Sequence, residues 1–251
     1  MTPVTSRPHA NDTASVPSEL VVEQHLRHAA VYRLLANALT PPTRELLDQI
    51  AAQATQVAQK VPEICDRARA LAARAREADG GVLAGEYLRL FERESACSPR
   101  EGTWNVRPVS GRPPLLADIA GFYHAFGVGL HEQFGDTEDH IAAELEFLSF
   151  LSLKLAYACA CDHAEGTEIV RTAIQSFWRD HLGSFVVPFS RALEAATTQA
   201  FYRTTAQLLR EWADQECERW GVACTAQAAP APPSAVEADC LVCPLPFAED
   251  R

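Results

Sequence analysis

Long apolar runs and an excess of basic residues are both missing from this sequence. No apolar stretch approaches the length of a bilayer span, and the first twenty residues contain no signal-peptide apolar region. The chain has 22 Lys and Arg against 33 Asp and Glu, which gives a net charge of −11 at pH 7. Non-specific nucleic-acid binding needs a basic surface that replaces phosphate counterions. We therefore expect a cytoplasmic protein without membrane insertion or a nucleic-acid partner, suited to a basic partner.

Motifs for catalysis are also missing. The sequence has no G-x-S-x-G, no Gly-rich phosphate-binding loop and no H-E-x-x-H. Acid–base or nucleophilic chemistry needs a small set of convergent groups, so we expect no catalytic residue and no cofactor. One alternative stays open, a metal-dependent helical enzyme whose ligands approach one another around a Gly-rich turn. Its candidate residues are His124, His131, His140 and Glu144.

Cysteine spacing gives little support for a metal site or a disulfide framework. Eight cysteines in a chain of 251 residues with no export signal favour reduced thiols. Cys240 and Cys243 form the one suggestive spacing, a lone C-x-x-C in the proline-rich tail. A closed zinc site needs two more ligands, for which Cys217 and Cys224 are the nearest candidates. We expect no metal site, with Cys240 and Cys243 as weak candidates.

Apolar residues recur at helical spacing through most of the chain, and no segment alternates like a strand between turn signals. The sequence therefore predicts an all-α fold, a single globular helical domain of eight or nine helices over residues 19–222. Residues 1–18 and the Pro/Ala-rich residues 223–251 lack periodicity and are interpreted as disordered tails. The predicted helices span about 19–39, 43–60, 62–78, 82–93, 115–126, 135–157, 167–181, 186–195 and 197–220.

The helix predicted over residues 135–157 organises the rest of the chain. It is apolar nearly all round, which is typical of a central, buried helix. Asp136 or Thr137 is expected to cap its start. Glu138 and Asp139 then place negative charge in the first turn, where the helix dipole favours it.

Two polar residues, His140 and Glu144, lie one turn apart on this helix and continue an apolar stripe. One interpretation is a His–Glu pair that hydrogen-bonds near a helix end and does nothing more. The other is a half-buried polar spot at the lip of a groove that holds a ligand or partner. The irregular segment 94–114 is a separate candidate for function, because a long loop inside a compact helical domain is uncommon and often functional.

Three stretches together resemble the TorD/DmsD/NarJ family of redox-enzyme maturation chaperones. Glu86-Tyr-Leu-Arg-Leu-Phe91 is similar to the family's Y-x-x-L-F helix end, and Ser98-Pro-Arg-Glu-Gly-Thr-Trp104 to its P-P-W-E-S-x-Y loop. Thr137-Glu-Asp-His-Ile-Ala-Ala-Glu-Leu-Glu-Phe-Leu148 is similar to its E-x-x-D-H-x-x-x-E-L-x-F-L signature. The resemblance spans residues 20–222, and residues 115–126 further resemble the subgroup that serves type II dimethyl sulfoxide reductase family enzymes.

The resemblance implies a cytoplasmic, non-catalytic assembly chaperone. Such a protein binds the catalytic molybdopterin subunit of a molybdenum-cofactor oxidoreductase and holds it until the cofactor is inserted, before export. Many members bind the twin-arginine signal peptide of that subunit, and others bind another part of it. The family's loop tryptophan is Arg100 here and its serine is Gly102. Because Arg100 would repel an arginine pair, both modes of binding stay open.

The resemblance also implies a client-binding groove. Carried over residue by residue, it involves Leu90, Phe91, Pro99, Glu101, Asp139 and His140, and we add Trp104 and Glu144 from their positions. Glu101 and Asp139 are suited to pairing with guanidinium groups, and Leu90, Phe91 and Trp104 to offering apolar surface. The simpler alternatives are a solvated Glu101, an Asp139 that serves only the helix dipole, and core positions for Leu90 and Phe91.

Overall fold

The computed structural model describes residues 18–93, 97–104, 112–129 and 137–224, and within them every regular element is helical. This confirms the predicted all-α fold. Apart from the four-residue α5 there are nine α-helices in the described part, at the upper end of the predicted number. The helices are α1 Ser18–Ala38, α2 Arg44–Lys60, α3 Cys65–Glu77, α4 Gly80–Tyr87, α5 Glu101–Trp104, α6 Arg112–Ala125, α7 Ile141–Ala160, α8 Ala164–Phe177, α9 Gly183–Ala196 and α10 Ala200–Trp220.

Several predictions fall outside the described residues. These are the leader up to residue 17, the tail from residue 225, and the residues His131, Cys240 and Cys243. Ser18, predicted to belong to the leader, is the first residue of α1. Among the described helices, none combines the length and the low charge that a bilayer span requires.

Helix α7 lies at the centre, as its apolar sequence predicts. It packs mainly against α1, and also against α8. Leu145, Leu148, Leu151 and Leu155 on α7 are fully buried. Burying each leucine side chain removes apolar surface from water, which contributes about 1.5–3 kcal/mol per residue. This packing fixes the position of the α7 N-terminus, where the predicted site residues lie.

The predicted start of α7 is wrong by several residues. The helix begins at Ile141, and its N-cap is His140 rather than Asp136 or Thr137. The Nδ1 atom of His140 accepts a hydrogen bond from the Ala142 N–H at 3.1 Å, so the imidazole does what a Ser or Asp does at most caps. Asp139 therefore precedes the helix instead of lying in its first turn.

Helices α8 and α9 are joined by a π-helical segment, Trp178–Leu182, without an intervening loop. The sequence predicts two separate helices here, over about 167–181 and 186–195, and the second of these would place Pro188 in its first turn. Pro188 instead lies in the interior of α9. Gly183 permits this continuous path, because a Cβ atom there would lie 2.4 Å from the Trp178 carbonyl oxygen.

Cys217 and Cys224 are brought together as a pair, with a Cα–Cα distance of 6.0 Å that lies in the range a disulfide spans. This pairing departs from the expectation of scattered reduced thiols. Helix α10 ends at Gly221, which has φ +64°, and the chain turns back there. That reversal brings Cys224 against the last turn of α10. Of the other described cysteines, Cys97 is buried and Cys65, Cys159 and Cys161 are not.

Candidate functional site

The two sequence stretches predicted to carry function meet in space at the N-terminus of α7. The Ile141 N–H donates to the Pro99 carbonyl at 2.8 Å, and the Glu101 N–H donates to the Asp139 carbonyl at 2.8 Å. Between these bonds, Arg100 and His140 form an isolated antiparallel bridge. Residues 97–104 are thus attached to the start of α7 through their backbones, whatever their side chains do.

Asp139 connects residues 101–102 to the segment that precedes α7 through its side chain and its main-chain carbonyl. Its Oδ2 accepts the Gly102 N–H at 3.1 Å, and its Oδ1 accepts the Thr137 hydroxyl. Its main-chain carbonyl holds Glu101 at the start of α5. Asp139 is completely buried. Its charge serves the local backbone of residues 101–102, and not the dipole of α7 as the simpler alternative supposed.

Glu101 is also completely buried and is paired with a residue that sequence reasoning missed. Its Oε2 lies 3.2 Å from Nδ1 of His181, in the π-helical segment. The other ring nitrogen of His181 lies 3.5 Å from the carboxylate of Asp118, whose side chain is 66% exposed. The solvated Glu101 considered from the sequence is therefore wrong. No sequence signal identifies His181, because its partner is 80 residues away.

His140 and Glu144 are both buried, so the predicted half-buried polar spot at a groove lip is wrong. The simpler His–Glu hydrogen bond is wrong too, because within the described residues neither oxygen of the Glu144 carboxyl has a hydrogen-bond partner. Burial raises the pKa of Glu144 well above the usual carboxyl value, and the nearby charges of Glu101 and Asp139 raise it further. We call Glu101, Asp139 and Glu144 the acidic cluster.

The apolar residues expected to line a groove lie in the core. Leu90 is fully buried, and Phe91 packs between Tyr87 and Tyr202 with ring centroids 4.9 and 5.9 Å away. Trp104 is 8% exposed, and its Nε1–H donates to the Ser98 carbonyl at 2.8 Å. Pro99 is buried as well. The core interpretation thus holds for Leu90 and Phe91 in the described structure, and a client-binding role for these residues stays a prediction.

An exposed groove does adjoin the acidic cluster, on a face that the sequence did not predict. It is a cavity of about 530 Å³ between α1, the end of α6 and α7. Arg33 on α1 pairs with Glu146 on α7 at its rim, with an N–O distance of 2.6 Å. Its apolar walls include Phe147, Phe150 and Leu153. We call this cavity the α1–α7 groove.

Tyr123 connects the α1–α7 groove to the acidic cluster. It lines the groove, and its hydroxyl donates to the Glu138 carbonyl at 3.0 Å, next to Asp139. Its ring packs on Phe147 with a centroid distance of 4.7 Å. Burial raises the pKa of Tyr123 well above the usual phenol value, and the charge on Glu144 raises it further. An apolar groove and a buried acidic cluster therefore share one wall.

The residues of the metal-enzyme alternative are not brought together in the described part of the chain. His124 is exposed on α6, whereas His140 and Glu144 are buried. Over the described ranges, no group of three His, Cys, Asp or Glu side chains has the geometry of a metal site. His131 lies outside those ranges.

Comparisons with known proteins agree on one family. The family model described as nitrate reductase delta subunit matches residues 37–191. The chain is 36% identical over 128 residues to the chlorate reductase assembly chaperone protein of Ideonella dechloratans, a match that covers 49% of this chain and 64% of the relative. It is 33% identical over 143 residues to the selenate reductase assembly chaperone protein of Thauera selenatis, covering 56% and 71%.

A third relative and one solved structure extend these findings. The perchlorate reductase assembly chaperone protein of Dechloromonas aromatica is 33% identical over 113 residues, and the match covers 43% of this chain and 48% of that protein. The matches thus span between 48% and 71% of the length of these relatives. A crystal structure described as that of a candidate redox enzyme maturation protein from Archaeoglobus fulgidus has a TM-score of 0.52 at 20% identity, covering 74% of this chain and 93% of that one. This last likeness supports the fold alone.

Proposed function

The chain belongs to the nitrate reductase delta subunit family, and on that premise we propose that it is a non-catalytic assembly chaperone for the catalytic subunit of a molybdenum-cofactor oxidoreductase. The observation that carries the proposal is the match to three reductase assembly chaperones, one of them over 71% of its length. The client belongs to the type II dimethyl sulfoxide reductase family. The chaperone binds it in the cytoplasm and releases it after cofactor insertion, before export.

The α1–α7 groove and the acidic cluster together form the client site in this proposal. A segment with an apolar stretch beside a cationic residue fits both parts, because Phe147, Phe150 and Leu153 offer apolar surface and the cluster offers negative charge. The net charge of −11 speeds encounter with such a segment. A twin-arginine signal peptide has this composition, and so do segments of mature subunits.

The acidic cluster must open before it can contact a client. Residues 97–104 are held against α7 by the Ile141–Pro99 and Glu101–Asp139 backbone bonds. Each such bond contributes about 0.5–1.5 kcal/mol net, so separating them is within the binding free energy of a micromolar complex. Glu101 and Asp139 would then give up hydrogen bonds from donors within the chain and accept hydrogen bonds from the client instead. This accounts for a client site whose charged members are buried in the unbound chain.

Co-purification tests the function. The chain is expressed with the catalytic subunit of a chlorate- or selenate-reductase-type enzyme, with and without the signal peptide of that subunit. We expect capture of the cofactor-free subunit and loss of capture once the cofactor is inserted. Capture that disappears with the signal peptide assigns the contact to it, and unchanged capture assigns the contact to the mature subunit. The proposal fails if neither form is captured.

Groove variants test the site. Leu153 is 48% exposed in the groove, and Ile169 on α8 is 55% exposed away from it. Leu153→Glu is expected to weaken capture about tenfold, the effect of losing about 1.4 kcal/mol at an interface. Ile169→Glu is the matched control and should leave capture unchanged. Equal effects of the two substitutions would remove the groove from the proposal.

A further inference from the structure

Glu144 differs from its neighbours in the acidic cluster because its carboxyl group has no donor in the part of the chain that the structure describes. Asp139 accepts from Gly102 and Thr137, and Glu101 lies beside His181. Within residues 18–93, 97–104, 112–129 and 137–224, neither oxygen of Glu144 has a hydrogen-bond partner, although the residue is 0% exposed. A buried, unpaired carboxylate beside two others is penalised by several kcal/mol, and protonation removes the part of that penalty that comes from the charge.

The groups around the cluster do not remove this penalty. Burial is the largest cause of the raised pKa of Glu144, and the like charges of Glu101 and Asp139 follow. The hydroxyl of Tyr123 is already donated to the Glu138 carbonyl, and the imidazole of His140 accepts from the Ala142 N–H. The titratable groups that face the cluster are Glu101 on α5, Asp139 and His140 ahead of α7, Tyr123 on α6, and His181 in the π-helical segment.

We propose that Glu144 carries a proton in the unbound chain and is a cation-binding residue that releases this proton when a guanidinium or ammonium group of the client enters the acidic cluster. This inference rests on the proposed function. The step is balanced: the carboxyl O–H bond breaks, the proton passes to buffer, and the resulting carboxylate pairs with the incoming cation. Glu101 and Asp139 are bound to local donors in the unbound chain, whereas Glu144 has no donor to exchange among the described residues, so its carboxylate is a further anion that forms only when the client cation enters.

The proposal gives binding a defined pH dependence. Because the binding form is deprotonated and the unbound form is protonated, rising pH favours the complex. Release of one proton makes the association constant rise about tenfold per pH unit, as long as unbound Glu144 keeps its proton. A neutral residue at this position should bind the same cation more weakly and without this slope.

Calorimetry with the full chain tests the proposal directly. The probe is a synthetic peptide that has two adjacent arginines followed by an apolar stretch, titrated in phosphate and in Tris buffer. The difference in measured heat between these buffers gives the number of protons released, and about one per peptide is expected. Glu144→Gln should release none and lose the pH dependence. Glu168→Gln, at an exposed position on α8, is the matched control and should behave like the unsubstituted chain.

A second measurement covers the unbound chain. Carboxyl ¹³C resonances of glutamate report protonation residue by residue, and the one that disappears in Glu144→Gln belongs to Glu144. We expect that resonance to have the chemical shift of a protonated carboxyl group at neutral pH. The shift of an ionised carboxylate at that pH would overturn the inference. Peptide binding without proton release also overturns it. So does capture of the client by a chain that does not bind the peptide. Those three results leave the chaperone function intact, which fails only if client capture itself fails.

Discussion

Two glutamate side chains in this molecule are equally buried but differ in their hydrogen-bond partners. Glu216 on α10 is 1% exposed and Glu144 on α7 is 0% exposed. Glu216 accepts hydrogen bonds from the Tyr32 hydroxyl and from Trp220 Nε1, the latter at 3.0 Å, and pairs with His28 Nδ1 at 2.8 Å. Within the described residues Glu144 has no such partner.

The consequence is opposite protonation behaviour. Burial alone raises the pKa of Glu216, but its pKa is nevertheless lowered, because hydrogen bonds from His28 and Tyr32 and the charge of Arg219 outweigh burial. Burial raises the pKa of Glu144 with nothing to oppose it. Burial thus does not decide the charge of a carboxyl group, and its donors do. The hydrogen bonds of Glu216 connect α1 to α10. In the acidic cluster, by contrast, the burial of Glu144 is not offset by any hydrogen-bond donor among the described residues.

The largest expected effect is at Glu216. Glu216→Ala leaves Tyr32, His28 and Trp220 without their acceptor in the interior, and should lower the free energy of unfolding by about 3–5 kcal/mol. Chemical denaturation measures this. Glu218→Ala, two residues further on at an exposed position of α10, is the control and should change it by less than about 0.5 kcal/mol. A loss below about 1 kcal/mol for Glu216→Ala would contradict the account of a network that holds the helices together.

The pH dependence of stability should have opposite signs at the two sites. The pKa of Glu144 in the folded chain is raised above the usual value of 4.5. Its contribution to the free energy of unfolding is therefore fully present below pH 4.5 and is lost as the pH rises, by up to about 1.4 kcal/mol per pH unit. The folded pKa of Glu216 is lowered, so its contribution is present above pH 4.5 and is lost as pH falls.

Two glutamine substitutions, one at each site, measure how stability depends on pH. Denaturation midpoints are recorded across pH for Glu144→Gln and Glu216→Gln. Glu144→Gln should remove a decline in stability toward high pH and be no less stable than the unsubstituted chain at neutral pH. Glu216→Gln should remove the loss of stability that the unsubstituted chain shows as pH falls below 4.5. If both substitutions removed a pH dependence of stability of the same sign, the contrast between Glu144 and Glu216 would be wrong.

The smallest effect is expected at Asp139, whose carboxylate, like that of Glu216, accepts hydrogen bonds from nearby donors. Asp139→Ala removes the acceptor for the Gly102 N–H and the Thr137 hydroxyl, a loss of about 1 kcal/mol, as for a helix cap. Asp66→Ala, on the surface of α3, is the control and should be nearly neutral. An Asp139 variant as stable as its parent would mean that this junction contributes little to the fold.

Local sequence signals account for most of the fold. Apolar residues at helical spacing identify α2, whose Thr43 side chain accepts the Leu46 N–H as its cap. The same signal identifies α7 as central. It fails at the start of α7 and between α8 and α9, because His140 is an unusual cap and Trp178–Leu182 continues the helix by a π turn. Both departures depend on packing that is not visible in a local window.

The sequence by itself determined that this chain is helical and acidic, and which family motifs it carries, because periodicity, charge and motifs are properties of neighbouring residues. Only the tertiary structure decided what the motif residues are in the unbound chain. It buries Asp139 and Glu101, pairs Glu101 with His181 across 80 positions and, among the described residues, leaves Glu144 without a donor. Burial and hydrogen bonding between distant segments decide protonation and accessibility, and both arise only when α7 packs against residues 97–104.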